Sequence, residues 1–206
     1  MANILYDVPM KVDYNMQFIR TTIPDVIIID PKVHGDERGY FVETFRQDKF
    51  EEFLGFKVNF YQDNESRSHH GVLRGLHYQL APFAQSKLVR VIDGKVLDVA
   101  VDIRVGSPTF GQHVAVELSG KNKRQMFVPR GFAHGFVVLT ETCTFAYKVD
   151  NYYSPECDRG ISFNDPTLGI DWKMDITQLQ LSDKDKKQLK LSDTKDLFDY
   201  KVNYYV

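Results

Sequence analysis

From residue 17 to residue 149 the chain alternates short apolar runs with small polar breaks. Two runs fill residues 17–30, and Asp25-Val-Ile-Ile-Ile-Asp30 reads as a strand because β-branched residues crowd its centre. Tyr40-Phe-Val-Glu-Thr-Phe45 reads as another. Further strands are expected near 57–62, 72–79, 87–92, 95–103, 112–118, 125–128, 134–139 and 142–149. The breaks have turn composition, and Asp93-Gly94 between two β-branched runs is a hairpin signal. A short helix is expected over 47–55, ended by Gly55, and a second helical pattern lies around 182–191. Residues 1–16 are polar and irregular and read as an N-terminal extension. Many short strands without helices between them predict a single all-β domain, an antiparallel sandwich or jelly-roll barrel with short peripheral helices.

Strand alternation locates candidate chemistry. Gly71-Val-Leu-Arg-Gly-Leu-His-Tyr-Gln79 sets one arginine, one glycine and one histidine into a strand. Arg74 offers a planar fork of donors for phosphate or carboxylate, and His77 can exchange a proton near neutral pH. Strict alternation puts the two on opposite faces, so a shared ligand requires a bulge, and Gly75 is the place for it. On the strand over 95–103, Leu97, Val99, Val101 and Ile103 share one face. Val96, Asp98, Ala100 and Asp102 share the other, which is either a pocket wall or a solvated face; solvation is the expectation for the two acids.

Composition narrows the class. The net charge of -2 implies neither a nucleic-acid nor a membrane partner. Aromatics at 13% suit a β-rich fold. Cys143 and Cys157 form no metal or redox spacing and read as free thiols. No apolar run suits a signal peptide or a bilayer span, so a cytoplasmic protein is expected.

Among the six histidines, Pro129-Arg-Gly-Phe-Ala-His134 resembles the second half-motif of the cupin barrels. The matching first half, His77-Tyr-Gln79, lacks a second histidine, so the pair makes a poor transition-metal site and His77 is free to act as a base. Lys87 begins a strand and is either an edge residue or, facing a pocket, a stabiliser of a developing oxyanion. Tyr147, taken alone, reads as a core aromatic; facing a pocket it is a proton donor. Ser182 and Asp185 have the spacing of a helix capping box. Gln62-Asp-Asn-Glu-Ser66 sits at a strand end, as a plain turn or a group that bonds a base and sugar.

Together these motifs resemble the dTDP-4-dehydrorhamnose 3,5-epimerase family over 22–185. The resemblance rests on Gly35-Asp-Glu-Arg-Gly-Tyr-Phe41 with Glu43, Gln62-Asp-Asn-Glu-Ser66, Val72-Leu-Arg-Gly-Leu-His-Tyr-Gln79 and Lys87-Leu-Val-Arg90. It continues through Asp98-Val-Ala-Val-Asp102, Ser107-Pro-Thr-Phe-Gly111, Pro129-Arg-Gly-Phe-Ala-His-Gly135, Tyr147-Lys148 and Gly169-Ile-Asp-Trp172. It implies a cupin-type double-stranded β-helix, a homodimer with exchanged N-terminal strands, no metal and no cofactor. The implied substrate is dTDP-4-dehydro-6-deoxy-D-glucose and the product dTDP-4-dehydro-L-rhamnose. By motif position His77 matches the base, Asp185 its carboxylate partner, Tyr147 the opposing acid, and Lys87 the lysine near the C4 oxygen. Arg38, Glu43, Gln62, Asn64, Arg74, His134, Asp158 and Lys184 match ligand contacts, with Arg38 and Glu43 reaching the neighbouring subunit. Asp158 stands where a glutamate is often found, and Lys173 follows Trp172 where the family usually has proline. The rivals are a C3-only epimerase of the same fold, a non-catalytic sugar-nucleotide-binding cupin and, more remotely, a metal-dependent cupin oxygenase.

Overall fold

The computed structural model describes residues 16–205. The N-terminal extension therefore lies outside the described residues, apart from Met16, which opens the first strand. In chain order the elements are β1 (Met16–Arg20), β2 (Ile27–Pro31), β3 (Val33–Asp36), β4 (Gly39–Val42), α1 (Gln47–Leu54), β5 (Gln62–His69), β6 (Leu73–Gln79) and β7 (Lys87–Asp93). They continue as β8 (Lys95–Asp102), β9 (Arg104–Val105), β10 (His113–Ser119), β11 (Gln125–Val128), β12 (Phe132–Val138), β13 (Thr142–Val149), β14 (Asp158–Gly160) and β15 (Phe198–Asp199). A six-stranded sheet in the order β1-β2-β11-β7-β13-β5 faces a five-stranded sheet in the order β10-β8-β12-β6-β14, as a jelly roll requires.

Alternation sorts three cores. Between the sheets lie Val89, Val91, Val96, Ala100, Met126 and Phe145 with their neighbours. Leu97, Val99, Val101 and Ile103 point the other way, where Phe163, Trp172, Leu191 and Phe198 cover the five-stranded sheet. Outside the six-stranded sheet α1 buries Phe50 completely against Phe127, and Gly55 ends that helix in a left-handed turn at φ +80°.

The expected bulge is present. His77 pairs with His134 and Arg74 with Phe136, so two residues of β6, Gly75 and Leu76, oppose Gly135 alone. The extra residue restores parity: Leu73, Leu76 and Tyr78 enter the outer core, while Arg74 and His77 both turn inward. The strands come so close that a Cβ on Gly75 would lie 2.5 Å from the Gly135 Cα. Gly75 also has φ +130°, which L side chains rarely adopt.

Three expectations are corrected. The strand expected over 57–62 lies further on, as β5, so Gln62-Asp-Asn-Glu-Ser66 is strand and not turn. The helical pattern at 182–191 yields only 3₁₀ turns at Asp185–Lys187 and Leu191–Asp193. That segment has no apolar stripe, and its flanks bridge to Val72 through Gln180 and to Ile161 through Leu189. Asp98 and Asp102 are fully buried, not solvated. Asp102 is satisfied by Arg104, Ser107 and Thr109.

Gly135→Ala tests the close approach. Its Cβ would fall 2.7 Å from the Arg74 carbonyl oxygen. The expected outcome is a loss of roughly 1–3 kcal/mol in denaturant unfolding. A variant that unfolds like the parent would mean the two strands are free to separate.

Candidate active site

The inner faces of the two sheets enclose a cavity of about 570 Å³. The five-stranded sheet supplies Arg74 and His77 from β6 and His134 from β12. The six-stranded sheet supplies Asn64 from β5, Lys87 from β7 and Tyr147 from β13. Asp185 completes the wall from outside the sheets. The segment that carries it is pinned upstream, where the Gln180 amide donates to the Gly71 carbonyl at 2.8 Å and its carbonyl accepts from the Leu73 amide at 3.0 Å.

His77 Nε2 lies 2.5 Å from Asp185 Oδ1, with the Asp185 side chain 3% exposed. Ser182 serves the same carboxylate: its Oγ donates to Oδ2 at 2.8 Å and accepts from the Asp185 amide at 3.1 Å. Asp185 thus holds its local turn and His77 together. Burial works to raise the Asp185 carboxyl, but the bond and charge of His77, then Ser182 and Lys184, outweigh it and hold the group below its ordinary value. An ionised Asp185 keeps a proton on the facing ring nitrogen, which leaves the other nitrogen as an acceptor.

A second histidine–carboxylate pair lies deeper. His134 Nε2 is 3.0 Å from both oxygens of Asp98. Burial pushes the Asp98 carboxyl up and the His134 imidazole down, so both are driven toward their neutral forms. Lys87 has no ion-pair partner among the described residues. Burial pushes its ammonium down to about 8, with the negative charges of Asp158 and Asp98 opposing the shift and Lys184 adding to it. Burial also raises the Tyr147 phenol, so Tyr147 keeps its proton at neutral pH. Arg74 donates from Nε and Nη2 to Ser68 Oγ, both at 3.2 Å, which aims the guanidinium along the cavity.

An adjoining cavity of about 300 Å³ shares Asn64, His77, Lys87 and Tyr147 and adds Gln62, Tyr153 and Asp158. Gln62 donates to Asn64 at 2.8 Å, and Tyr153 donates to Asp158 at 3.1 Å. Lys184 joins this side by pairing with Asp158. Of the residues expected from the sequence, Arg38 and Glu43 line neither cavity. Arg38 sits at the tip of the β3–β4 hairpin with 86% of its side chain exposed, paired to Asp36 at 2.5 Å. Ser68 is the contributor that motif reading passes over; the sequence expectation for Asp98 is solvation, and Ser182 reads only as a cap for Asp185. Interior alternation on β8 marks Asp98; nothing in the local sequence marks Ser68. Among the described residues no group of three or more His, Cys, Asp or Glu side chains is placed to share a metal ion.

The arrangement suits proton transfer on an anionic ligand. A histidine oriented by a carboxylate faces a tyrosine on the opposite sheet, with a lysine at one wall and arginine donors at the mouth. Comparison with known proteins agrees. The family model described as dTDP-4-dehydrorhamnose 3,5-epimerase matches residues 20–193. The chain is 57% identical over 170 residues to the dTDP-4-dehydrorhamnose 3,5-epimerase of Shigella flexneri, covering 82% of this chain and 93% of that protein. It superimposes with TM-score 0.87 and 53% identity on dTDP-6-deoxy-D-glucose-3,5-epimerase from Legionella pneumophila Philadelphia 1 in complex with dTDP-4-keto-L-rhamnose, covering 91% of this chain and 100% of that one. It also resembles a 3'-monoepimerase from Streptomyces bikiniensis in complex with dTDP-quinovose, at TM-score 0.79 and 34% identity, covering 83% of this chain and 86% of that one.

An NMR titration of Lys87 checks the electrostatics. Its midpoint is expected near 8. Asp158→Asn removes the largest opposing charge and is expected to lower the midpoint further. A midpoint in the ordinary lysine range would show the ammonium to be solvated.

Proposed function

The chain belongs to the dTDP-4-dehydrorhamnose 3,5-epimerase family, and on that premise we propose how its own residues divide the reaction. The enzyme is an isomerase that converts dTDP-4-dehydro-6-deoxy-D-glucose to dTDP-4-dehydro-L-rhamnose in dTDP-L-rhamnose biosynthesis. The C4 ketone acidifies the hydrogens on C3 and C5. His77 removes one of them, and the electron pair moves onto the C4 oxygen as an enolate. Lys87, as the cation at that wall, stabilises the oxyanion. Tyr147 returns a proton to the opposite face of the carbon, which inverts it. Asp185 keeps His77 oriented and sets a negative charge beside the ring that takes the proton. The observation that supports this division is the placement of His77 and Tyr147 on opposite sheets across one cavity.

Arg74 is suited to the diphosphate oxygens by its planar fork of donors. Gln62, Asn64, His134, Asp158 and Lys184 are proposed as further ligand contacts. Arg38 and Glu43 are proposed to act in a second copy of the chain, in a homodimer. β3 and β4 pair with each other as a two-stranded sheet apart from the two main sheets, and they are the strands proposed to exchange. That hairpin leaves Tyr40 60% and Phe41 69% exposed, as an element awaiting a partner would. No helix among the described residues is long and apolar enough to cross a membrane; a cytoplasmic location is part of the proposal.

Proton NMR of the substrate with enzyme in deuterated water tests the chemistry. Deuterium is expected at both C3 and C5. His77→Ala is expected to lose exchange at both, by roughly 10²–10⁴-fold for a general base. Tyr147→Phe is expected to spare exchange at one carbon more than at the other. Deuterium at C3 alone would move the chain to the C3-only reading, and nucleotide binding without exchange to a binding module. Mixing inactive Arg38→Ala and His77→Ala chains is expected to restore activity through sites built from both; no recovery in mixed dimers would sink the exchanged hairpin.

A further inference from the structure

The family match ends at residue 193, yet the chain beyond it is closely attached to the barrel. Tyr78, the residue after His77, donates its hydroxyl to the Asp196 carbonyl at 2.7 Å. Phe198 is 3% exposed and packs against the Tyr78 ring at 6.1 Å. β15 then pairs with β9, and the chain turns so that Tyr204 packs on Phe198 at 4.8 Å. Tyr205 arrives at the start of β7. Its hydroxyl accepts from the Arg130 amide at 3.0 Å and shares a 2.7 Å bond with Ser86 Oγ. Ser86 is fully buried and immediately precedes Lys87.

The surroundings of Tyr205 are equally ordered. The Ser86 amide donates to Asp150 Oδ1 at 2.5 Å, and Arg130 Nε donates to Asp150 Oδ2 at 3.0 Å. Arg130 also donates to the Tyr204 carbonyl at 2.5 Å, and its guanidinium lies 5.1 Å from the Tyr205 ring centre. Asp150 directly follows the last residue of β13, whose Val149 pairs with Lys87. One cluster therefore ties the ends of the strands that present Lys87 and Tyr147.

We propose that residues 196–205 form a positioning strap that fixes Lys87 relative to His77, with Tyr205 acting through Ser86. The strap grips the residue next to each of these two side chains, one on each sheet, from outside the cavity. A strand end held by side-chain hydroxyls keeps its first residue seated. Without them it frays, and water reaches the ammonium. Tyr205 and Ser86 line neither cavity, so their contribution is geometric and falls on the step Lys87 assists.

The proposal rests on Lys87 acting at the C4 oxygen, and the test separates the two ideas. Tyr205→Phe keeps the ring and removes one hydroxyl; Ser86→Ala and Ser86→Thr remove and retain the other. Tyr205→Phe and Ser86→Ala are expected to fold with the parent's circular dichroism and leave KM within about two-fold while kcat falls roughly ten-fold, the scale of a small displacement of a catalytic group. The Lys87 midpoint is expected to rise from about 8 toward the ordinary lysine value, and Ser86→Thr to recover both properties. Parent-like kcat and an unmoved midpoint in both hydroxyl-deleted variants would overturn the strap. A midpoint that moves while kcat stays at the parent value would keep the strap and overturn the role given to Lys87. A loss of stability with a raised KM and an unmoved midpoint would reduce the segment to ordinary packing.

Discussion

Two glycines lying back to back set the geometry of the site. Neighbouring strands normally leave room for side chains that alternate above and below the sheet. Where β6 passes β12 that room is gone, because Gly75 and Gly135 bring the backbones together. The residue gained in β6 is what lets an arginine and a histidine three positions apart face the same interior. Asp185 depends on this in turn. Its segment is pinned to the residues just before the bulge, so the carboxylate meets His77 only when the bulge has turned His77 inward.

The cavity floor then settles which charges survive burial. A buried ion left unpaired is costly, and removing one member of a buried pair typically costs 3–5 kcal/mol. His77 and His134 each have a carboxylate. Lys87 has none among the described residues, and burial pushes its ammonium down to about 8. A carboxylate-oriented histidine beside a buried cation is the combination proposed for the enolate: one group to take the proton, the other to answer the charge that appears on oxygen.

Much of this was legible in the residues. Apart from the two-residue β9, the strands from β6 to β13 followed from alternation and turn composition, and the bulge followed from the need to put Arg74 and His77 on one face. Two things were not legible. β5 reads Gln-Asp-Asn-Glu-Ser-Arg-Ser-His and has no apolar face, because its inner side lines a polar cavity and its outer side meets solvent. The burial of Asp98 was hidden because its partner, His134, is supplied by the neighbouring strand β12, a contact of long sequence separation. Around 182–191 the lysines and Ser182 suggested a helix, but pairing with Val72 and Ile161 outweighed local preference. Lys173 holds φ +58°, a conformation proline cannot take, which gives a backbone reason for the missing proline there.

β5 also carries a hazard of its own. It is an edge strand, polar on both sides, and such strands hold their register weakly. A slip by one residue would send Asn64 to solvent and turn Asp63 toward the cavity, adding a carboxylate to a space suited to a diphosphate. The misregistered chain would keep its apolar core and repel its own substrate. Pairing along the whole of β13, with Lys148 bonded to Asp63 on the outer face at 2.9 Å, is therefore a device for fidelity of folding as much as for stability.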